Sequence, residues 1–209
     1  MIVIIDYGMG NLKSVYNALN KIECDCKISS DVNEIRNADG LILPGVGAFP
    51  DCMSNLKKNN LDEVIKEEVK KGKPLLGICL GMQVLFEKGY EGEECTGLGL
   101  LKGVVRRMDD TYLKIPHIGW NNLEINKEDT ILNGINNNPY VYFVHSYRAE
   151  DYCDDDLIAY STYGDIKIPA LFRKGNVIAA QFHPEKSGED GLNILRKFKE
   201  LVRWLFYLL

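Results

Sequence analysis

Three residue types in this chain have the chemistry of a nucleophile, a base and an acid, and they occur in that order. Cys79 lies in the sequence Gly-Ile-Cys-Leu-Gly-Met-Gln (77–83), and His183 and Glu185 lie in Gln-Phe-His-Pro-Glu (181–185). A thiol becomes a strong nucleophile when an imidazole removes its proton, and a carboxylate beside the imidazole fixes its tautomer and stabilises imidazolium. The three residues together predict covalent catalysis through Cys79.

Cys79 stands between an apolar segment (74–78) and a helical pattern that runs from about Gly81 to Lys88. We expect it at a sharp turn from a strand into a helix, with glycines on both sides that let the two elements approach closely. The helix N-terminus would favour thiolate, and the Leu80 amide would be a candidate oxyanion donor. A buried structural cysteine is the alternative, because free cysteine is among the most buried residue types.

The His-Pro-Glu sequence predicts that a base and an acid are presented together. Pro184 excludes helical backbone angles at His183, and residues two apart on an extended chain face the same side. We therefore expect His183 and Glu185 side by side at the end of a late strand. A salt-bridged surface histidine would explain this sequence taken alone, but not its occurrence with Cys79.

The first half of the chain alternates short apolar runs with helical patterns, which is typical of a parallel sheet covered by helices. Strands are predicted at Ile2–Ile5, Leu41–Leu43 and Pro74–Ile78, and one helix is predicted over Asp51–Lys71. The segment from Asp6 to Asn11 is expected to be a loop.

The second half reads differently, because its strand patterns have few helices between them. They occur at 104–105, 140–145, 157–160, 170–172 and 177–182. These strands are expected to extend the sheet in antiparallel fashion. The sequence thus predicts an α/β fold in one domain over residues 1–209, with a mostly parallel central sheet, helices on both faces and an antiparallel extension.

Composition excludes several classes of function. The 209 residues carry a net charge of −5 with a pI near 5.3, which argues against nucleic acid or an anionic membrane as the main partner. The six cysteines lack the spacing of zinc ligands, so we expect neither a metal nor a cofactor. No secretory leader pattern precedes the first strand, and a cytoplasmic location with reduced thiols is expected.

The C-terminal stretch 201–209 is apolar, but it is about half as long as a membrane-spanning helix. Apolar residues recur there at helical spacing, so we expect a final amphipathic helix packed against the sheet, with a helix lying on a membrane surface as the alternative. The residues of this stripe are Leu192, Leu195, Phe198, Leu201, Val202 and Leu205.

Residues 77–83 and 183–185 together resemble the class I (triad-type) glutamine amidotransferases, over nearly the whole chain. Within that family, further segments resemble the glutaminase subunits of imidazole glycerol phosphate synthases: 6–11, 44–47, 116–121, 142–147 and 181–187. Subunits that serve anthranilate or aminodeoxychorismate synthesis are the alternatives, but they usually carry His at the position of Met82. Glutaminases of the pyridoxal-phosphate pathway typically have Ala after the cysteine and fit less well.

The resemblance implies a class I amidotransferase fold that hydrolyses glutamine to glutamate and ammonia. The ammonia would pass to a synthase (cyclase) subunit in a heterodimer of histidine biosynthesis. His183 would withdraw the thiol proton, Cys79 would form a glutamyl thioester, and water would release glutamate. The amide of Leu80 and one from Val46 or Gly47 would hold the oxyanion, and the flanking glycines would let that peptide change orientation.

The resemblance also implies which residues bind glutamine. These are Gln83 and the segment His145, Ser146 and Tyr147, which would contact the backbone groups of the substrate. For His145, a hydrogen-bonded structural role at the end of an apolar strand is the alternative.

Asn11, Trp120 and Asn121 are implied to face the partner. Trp120 and Asn121 are expected in a glycine-containing loop, with a buried tryptophan as the alternative. The loop at 6–11 could also bind an anion, but it lacks both the full dinucleotide-binding glycine pattern and the lysine of a P-loop.

Two other classes of protein compete with this interpretation. A non-catalytic scaffold on the same fold would be indicated by loss of the cysteine, the histidine or the glutamate, and all three are present. A cysteine peptidase on the same fold is less favoured, because Gln83 and the intact segment 44–47 are typical of the amidotransferases.

Overall fold

The computed structural model of the chain describes residues 1–109 and 113–206. Strands are β1 (Ile2–Ile5), β2 (Cys26–Ser29), β3 (Gly40–Gly45), β4 (Leu75–Cys79), β5 (Lys88–Glu91), β6 (Glu93–Thr96), β7 (Val104–Arg107), β8 (His117–Asn122), β9 (Glu124–Ile125), β10 (Tyr140–His145), β11 (Tyr147–Glu150), β12 (Leu157–Tyr163), β13 (Ile166–Lys174) and β14 (Val177–Ala180). Helices are α1 (Leu12–Lys21), α2 (Val32–Asn37), α3 (Phe49–Lys58), α4 (Leu61–Lys70), α5 (Leu80–Gln83) and α6 (Gly188–Phe206).

An eight-stranded sheet lies at the centre of the structure, in the order β2-β1-β3-β4-β14-β13-β12-β9. The first five of these strands pair in parallel, and β13, β12 and β9 continue the sheet in antiparallel fashion. The predicted α/β fold with an antiparallel extension is confirmed. The parallel strands β1, β3, β4 and β14 are buried throughout, as expected when helices cover both faces.

Successive side chains along the central strands point to opposite faces of the sheet and belong to two separate hydrophobic clusters. Ile2 and Ile4 pack in one cluster with apolar residues of α1 and α6, and Val3 and Ile5 pack in the other with residues of α2, α3 and α4. The predicted C-terminal helix is therefore present, with Leu192, Leu195 and Phe198 in the core. Residues 207–209 and the side chain of Leu205 lie outside what is described.

Two helix predictions were wrong. The helix predicted over residues 51–71 is two helices, because Asn60 takes left-handed backbone angles with φ of 56° and interrupts the hydrogen-bond ladder. The helix predicted from about Gly81 to Lys88 ends at Gln83, and Lys88 begins β5. The carbonyls of Val84, Leu85 and Glu87 bond instead to amides of the segment 97–101, so tertiary contacts replace the next helical turn.

The second half of the chain does more than extend the central sheet. It also supplies β7 and β11 to a four-stranded sheet with β5 and β6, and it forms a two-stranded sheet from β8 and β10. The predicted loop around Trp120 is thus the strand β8, in which His117 pairs with His145 and Asn122 with Tyr140. The glycine in this segment suggested a loop, but pairing with β10 holds it in a strand.

Among the described residues, no helix combines the length and the hydropathy needed to cross a bilayer.

Candidate active site

Cys79 is the last residue of β4 and the cap of α5, which is the strand-to-helix turn expected from the sequence. Its φ of 54° and ψ of −113° are unusual for a residue with a side chain, and such strain is concentrated at functional sites. The turn depends on Gly81, because a Cβ there would lie 1.8 Å from the carbonyl oxygen of Leu43 on the adjacent strand β3. The close packing of β3 against α5, on either side of this turn, therefore requires glycine at position 81.

His183 and Glu185 form a buried pair beside Cys79. Nδ1 of His183 lies 2.8 Å from Oε1 of Glu185, and only 2% of the residue surface of His183 is exposed. The predicted extended geometry holds for His183, but Glu185 lies in a 3₁₀ turn (Pro184–Lys186) rather than on a strand. The proline begins that turn, and the turn brings the carboxylate back to the imidazole.

The backbone around His183 is clamped to β10. The His183 amide donates to the Tyr142 carbonyl at 2.9 Å, and the Ser187 hydroxyl donates to the His183 carbonyl at 2.6 Å while accepting the Tyr142 amide at 2.9 Å. The imidazole is thus held by its main chain on one side and by Glu185 on the other.

The charges of this group favour a protonated imidazole. Burial by itself lowers the pKa of His183, but the interactions with the Cys79 thiol and with Glu185 outweigh burial and raise the pKa to about 9. Nε2 of His183 and Oε2 of Glu185 are buried and have no hydrogen-bond partner within the described part of the chain. With Nδ1 committed to Glu185, Nε2 is the atom that can exchange a proton with the thiol.

A cleft of about 310 Å³ opens over Cys79. It brings together nine of the residues singled out in the sequence, and Glu185 lies behind His183 rather than on the cleft wall. The predicted residues that line it are Val46, Gly47, Cys79, Leu80, Gln83, His145, Ser146, Tyr147 and His183.

The candidate oxyanion segment follows β3 directly. Gly45 is in register with Cys79 on β4, so Val46 and Gly47 continue alongside Cys79. The phenol of Tyr7 donates to the Pro44 carbonyl at 2.9 Å in the core and fixes the end of β3. Gly47 has φ of 99°, a conformation that favours glycine, and Val46 is 44% exposed.

Gln83 is anchored from α5 by both hydrogens of its amide. Nε2 donates to the Tyr147 carbonyl at 3.1 Å and to Oε1 of Gln181 at 3.0 Å. A primary amide has two donors, so Gln83 has only its carbonyl oxygen left for a bound molecule.

His145 has both ring nitrogens engaged inside the protein. Nδ1 lies 2.9 Å from the Tyr147 carbonyl, and Nε2 lies 3.2 Å from Nδ1 of His117. Burial lowers the pKa of His145 to about 3 and that of His117 to about 4, so both rings are neutral at pH 7. His145 lines the cleft, but its nitrogens are held in place by structural hydrogen bonds.

Glu91 is a cleft residue that the sequence analysis missed, as are Pro116 and Val144. Among the described residues that line the cleft it is the one carboxylate, and no lysine or arginine joins it there. Its Oε2 accepts the Phe49 amide at 2.8 Å, at the start of α3. Because residues up to Lys88 were read as a helix, the strand β5 was not recognised and no sequence signal pointed to Glu91.

The residues expected to face a partner lie outside the cleft. Trp120 is 54% exposed, which rules out the buried alternative. The Asn121 side chain donates to the Thr162 carbonyl at 2.9 Å and accepts the Asn122 amide at 2.9 Å. Asn11 is half-buried and precedes α1 without capping it through its side chain.

Within residues 1–109 and 113–206, no group of three or more His, Cys, Asp and Glu side chains is placed to hold a metal ion.

Comparison with known proteins gives one consistent family. The sequence model described as "Glutamine amidotransferase class-I" matches residues 3–201. The imidazole glycerol phosphate synthase subunit HisH of Lactococcus lactis subsp. lactis is 59% identical over 202 residues, which covers 96% of this chain and 98% of the relative. The protein of the same name from Caldanaerobacter subterraneus subsp. tengcongensis is 54% identical over 205 residues, covering 98% and 100%.

Solved structures show the same fold. A crystal structure of a glutamine amidotransferase matches with a TM-score of 0.76 at 21% identity, covering 97% of this chain and 100% of that chain.

Proposed function

This chain belongs to the class I glutamine amidotransferases, and from that premise we propose that it is the glutaminase subunit of an imidazole glycerol phosphate synthase. In this role it hydrolyses glutamine to glutamate and supplies ammonia to a cyclase subunit, as part of histidine biosynthesis. The observation that carries the reaction is the placement of Cys79 and His183 on one cleft, with Glu185 bound to the far side of the imidazole at 2.8 Å.

The reaction follows from the atoms that face the cleft. Nε2 of His183 takes the thiol proton, and Cys79 attacks the side-chain carbonyl of glutamine. The proton passes to the leaving ammonia, and a glutamyl thioester remains. Water activated by the neutral His183 then attacks the thioester, glutamate leaves, and the thiol is restored. Glu185 stabilises the imidazolium in both halves of the cycle.

Two groups are proposed to stabilise the oxyanion of each tetrahedral intermediate. The Leu80 amide is the first of α5 and has no partner further back in the helix. The second donor is an amide of Val46 or Gly47, which run beside Cys79. One such donor contributes about 10²- to 10³-fold in rate.

Recognition of the amino-acid end of glutamine is proposed to fall to cleft residues outside the catalytic group. Glu91 supplies the negative charge for the α-ammonium group, and the free oxygen of Gln83 accepts one of its hydrogens. Since no described lysine or arginine lines the cleft, main-chain amides near Ser146 and Tyr147 would bind the α-carboxylate. The role of His145 is then indirect, because its ring fixes the Tyr147 carbonyl.

The partner is proposed to dock on the outer face of the two-stranded sheet. Side chains that face one another across β8 and β10 include Trp120 with Tyr142 and Ile118 with Val144. Ile118 and Trp120 are 57% and 54% exposed, and Val144 also lines the cleft. This apolar face is therefore continuous with the active site. Asn11 and Asn121 remain predicted members of the interface.

We also propose that residues 1–209 act as one amidotransferase domain, because the family match spans 3–201. A cytoplasmic location is proposed from the relatives, which are biosynthetic synthase subunits.

The test is glutamate formation by the chain mixed with a cyclase subunit, with and without the cyclase's own ligand. Cys79→Ala should lower glutamate formation by at least about 10³-fold, because no nucleophile remains. Complex formation in size-exclusion chromatography should be unchanged, and ammonium salts should still support the cyclase. Cys153→Ala is the matched control, because Cys153 is a half-buried cysteine that does not line the cleft.

Undiminished glutamate formation by Cys79→Ala would overturn the proposed chemistry. Loss of complex formation in the same variant would instead show that Cys79 is structural.

A further inference from the structure

We propose that Gln181 acts directly on the nucleophile: its side-chain amide donates a hydrogen bond to the sulfur of Cys79 and stabilises the thiolate. The rate consequence of this proposal rests on the function proposed above. The effect on the thiol itself does not, and it can be measured without glutamine.

Gln181 is fully buried beside the nucleophilic turn. It follows β14, which pairs in parallel with β4 so that Ala180 lies opposite Ile78. The next residues along the two strands are Gln181 and Cys79. Nε2 of Gln181 lies 3.9 Å from Sγ of Cys79, within the longer range expected of hydrogen bonds to sulfur.

The surrounding hydrogen bonds decide which end of the Gln181 amide faces the sulfur. The Tyr147 carbonyl can only accept, so the group of Gln83 that lies 3.1 Å from it must be the NH₂ group. The second hydrogen of that group points to Gln181 at 3.0 Å and requires an acceptor there. Oε1 of Gln181 therefore faces Gln83, and its NH₂ group is left facing Cys79.

Two neutral histidines also take part in the hydrogen bonds that orient the amides of Gln83 and Gln181. The Tyr147 carbonyl also accepts Nδ1–H of His145, so Nε2 of His145 must accept Nδ1–H of His117. His117 is packed between the rings of Phe143 and Tyr163, at centroid distances of 4.9 and 4.2 Å. Each donor in this series of hydrogen bonds thus has one possible direction, and the series ends at the sulfur of Cys79.

The neutral amide of Gln181 keeps its hydrogens at every step of the reaction, whereas His183 gives up and regains a proton. His183 gives its proton to the leaving ammonia and stays neutral while the thioester persists, and it regains its charge only when it takes a proton from the attacking water. The Gln181 amide cannot be deprotonated and donates to sulfur throughout the cycle. Charge-assisted hydrogen bonds of this kind are roughly twice as strong as neutral ones.

The test compares Gln181→Met and Gln181→Leu with the unchanged chain, because both remove the amide donor without adding a charge. Alkylation of Cys79 by iodoacetamide is followed from pH 5 to 10 by mass spectrometry of the peptide that contains Cys79, with Cys153 as an internal reference. Losing the donor should slow Cys79 alkylation at pH 7 about tenfold and move the midpoint of the pH curve up by about one unit. In the glutaminase assay, kcat should fall while KM for glutamine stays within about twofold.

Gln181→Leu removes the same donor without adding a charge, so it decides the outcome if Gln181→Met is less well folded by circular dichroism. The matched control is Asn176→Leu at the other end of β14, where the Asn176 amide donates to the Val69 and Lys73 carbonyls at 2.9 and 2.7 Å. This control should lose thermal stability without changing Cys79 alkylation.

Folded Gln181 variants that alkylate at Cys79 with the original rate and pH midpoint would overturn the proposal. If alkylation changes but no glutaminase activity is found in the unchanged complex, the hydrogen bond stands and the proposed function fails.

Discussion

The contacts of His183 with Cys79 and Glu185 raise the pKa of its imidazole and make folding stability depend on pH. The folded pKa of about 9 lies above the unfolded value of about 6.5, so between these values the native state keeps a proton that the unfolded chain has released. The stabilisation is fully present below about pH 6.5 and is lost as the pH rises through about 9, by at most about 1.4 kcal/mol per unit.

Urea unfolding at a series of pH values from 6 to 9.5 measures this slope. Glu185→Gln removes one of the interactions that raise the pKa of His183, so its slope should be smaller over the same range. If Glu185→Gln has the same slope of unfolding free energy against pH as the unchanged chain, the carboxylate does not support the imidazolium.

The proposed contact between Glu91 and the α-ammonium group predicts how a substitution at Glu91 changes the KM for glutamine. Glu91→Gln keeps an oxygen to accept the Phe49 amide but removes the charge proposed for the α-ammonium group. KM for glutamine should rise about 10- to 100-fold with kcat nearly unchanged, because the interaction is the same in the ground and transition states. Steady-state kinetics of the complex measures it, and Glu93→Gln in the neighbouring exposed strand β6 is the control. A fall in kcat at unchanged KM would place Glu91 in the chemistry instead.

At the residue scale, sequence reasoning found the groups with distinctive chemistry. It missed side chains whose role depends on the tertiary hydrogen-bond partners that they face. Cys79 and His183 were recognisable from residue type and local backbone signals. His145 was expected to contact glutamine, but the tertiary partners of its two nitrogens hold it to Tyr147 and His117. Nothing local in the sequence specifies those partners.

At the scale of elements, the crossing of β3 and α5 is the contact that shapes the nucleophilic turn. Gly81→Ala would place a Cβ 1.8 Å from the Leu43 carbonyl oxygen, so β3 and α5 must separate. The expected cost is on the order of 3 kcal/mol of unfolding free energy, with loss of glutaminase activity. Gly72→Ala is the control, because there a Cβ meets no atom within 4 Å and only the left-handed φ of 98° is unfavourable.

Denaturant unfolding of both variants measures the difference between them. Equal stabilities would show that the close approach at Gly81 relaxes cheaply, and the turn at Cys79 would then need another cause.

Local signals predicted elements well where burial and propensity agree. Ile2–Ile5 was placed correctly because a continuous apolar run on a buried parallel strand leaves no competing interpretation. The segment after Gln83 has helical periodicity, yet its carbonyls bond to residues 97–101. Long-range hydrogen bonds overrode helix propensity there. The sequence therefore did not predict β5, the strand that carries Glu91.

At the scale of the whole molecule, the exposed apolar face of β8 and β10 predicts how the subunits recognise each other. Trp120→Ala should weaken cyclase binding at least about 10-fold, because exposed tryptophans at interfaces often dominate binding energy. Its side chain is 54% exposed, so the unfolding free energy should change by less than about 0.5 kcal/mol.

Isothermal titration calorimetry measures this affinity. Ile125→Ala is a matched control, since Ile125 is 45% exposed on β9, at the edge of the central sheet. Equal affinities of the Trp120 variant and the unchanged chain would move the interface elsewhere.

The sequence by itself determined the class of fold and predicted the nucleophile and its acid-base partners, because buried strands, turn glycines and a proline leave local signatures. Only the tertiary structure decided which side chains converge on the thiol. Gln83, Tyr147 and Gln181 are up to 98 residues apart along the chain, yet they form one hydrogen-bonded group. Strand order and register bring them together, and neither is encoded by spacing within a single segment.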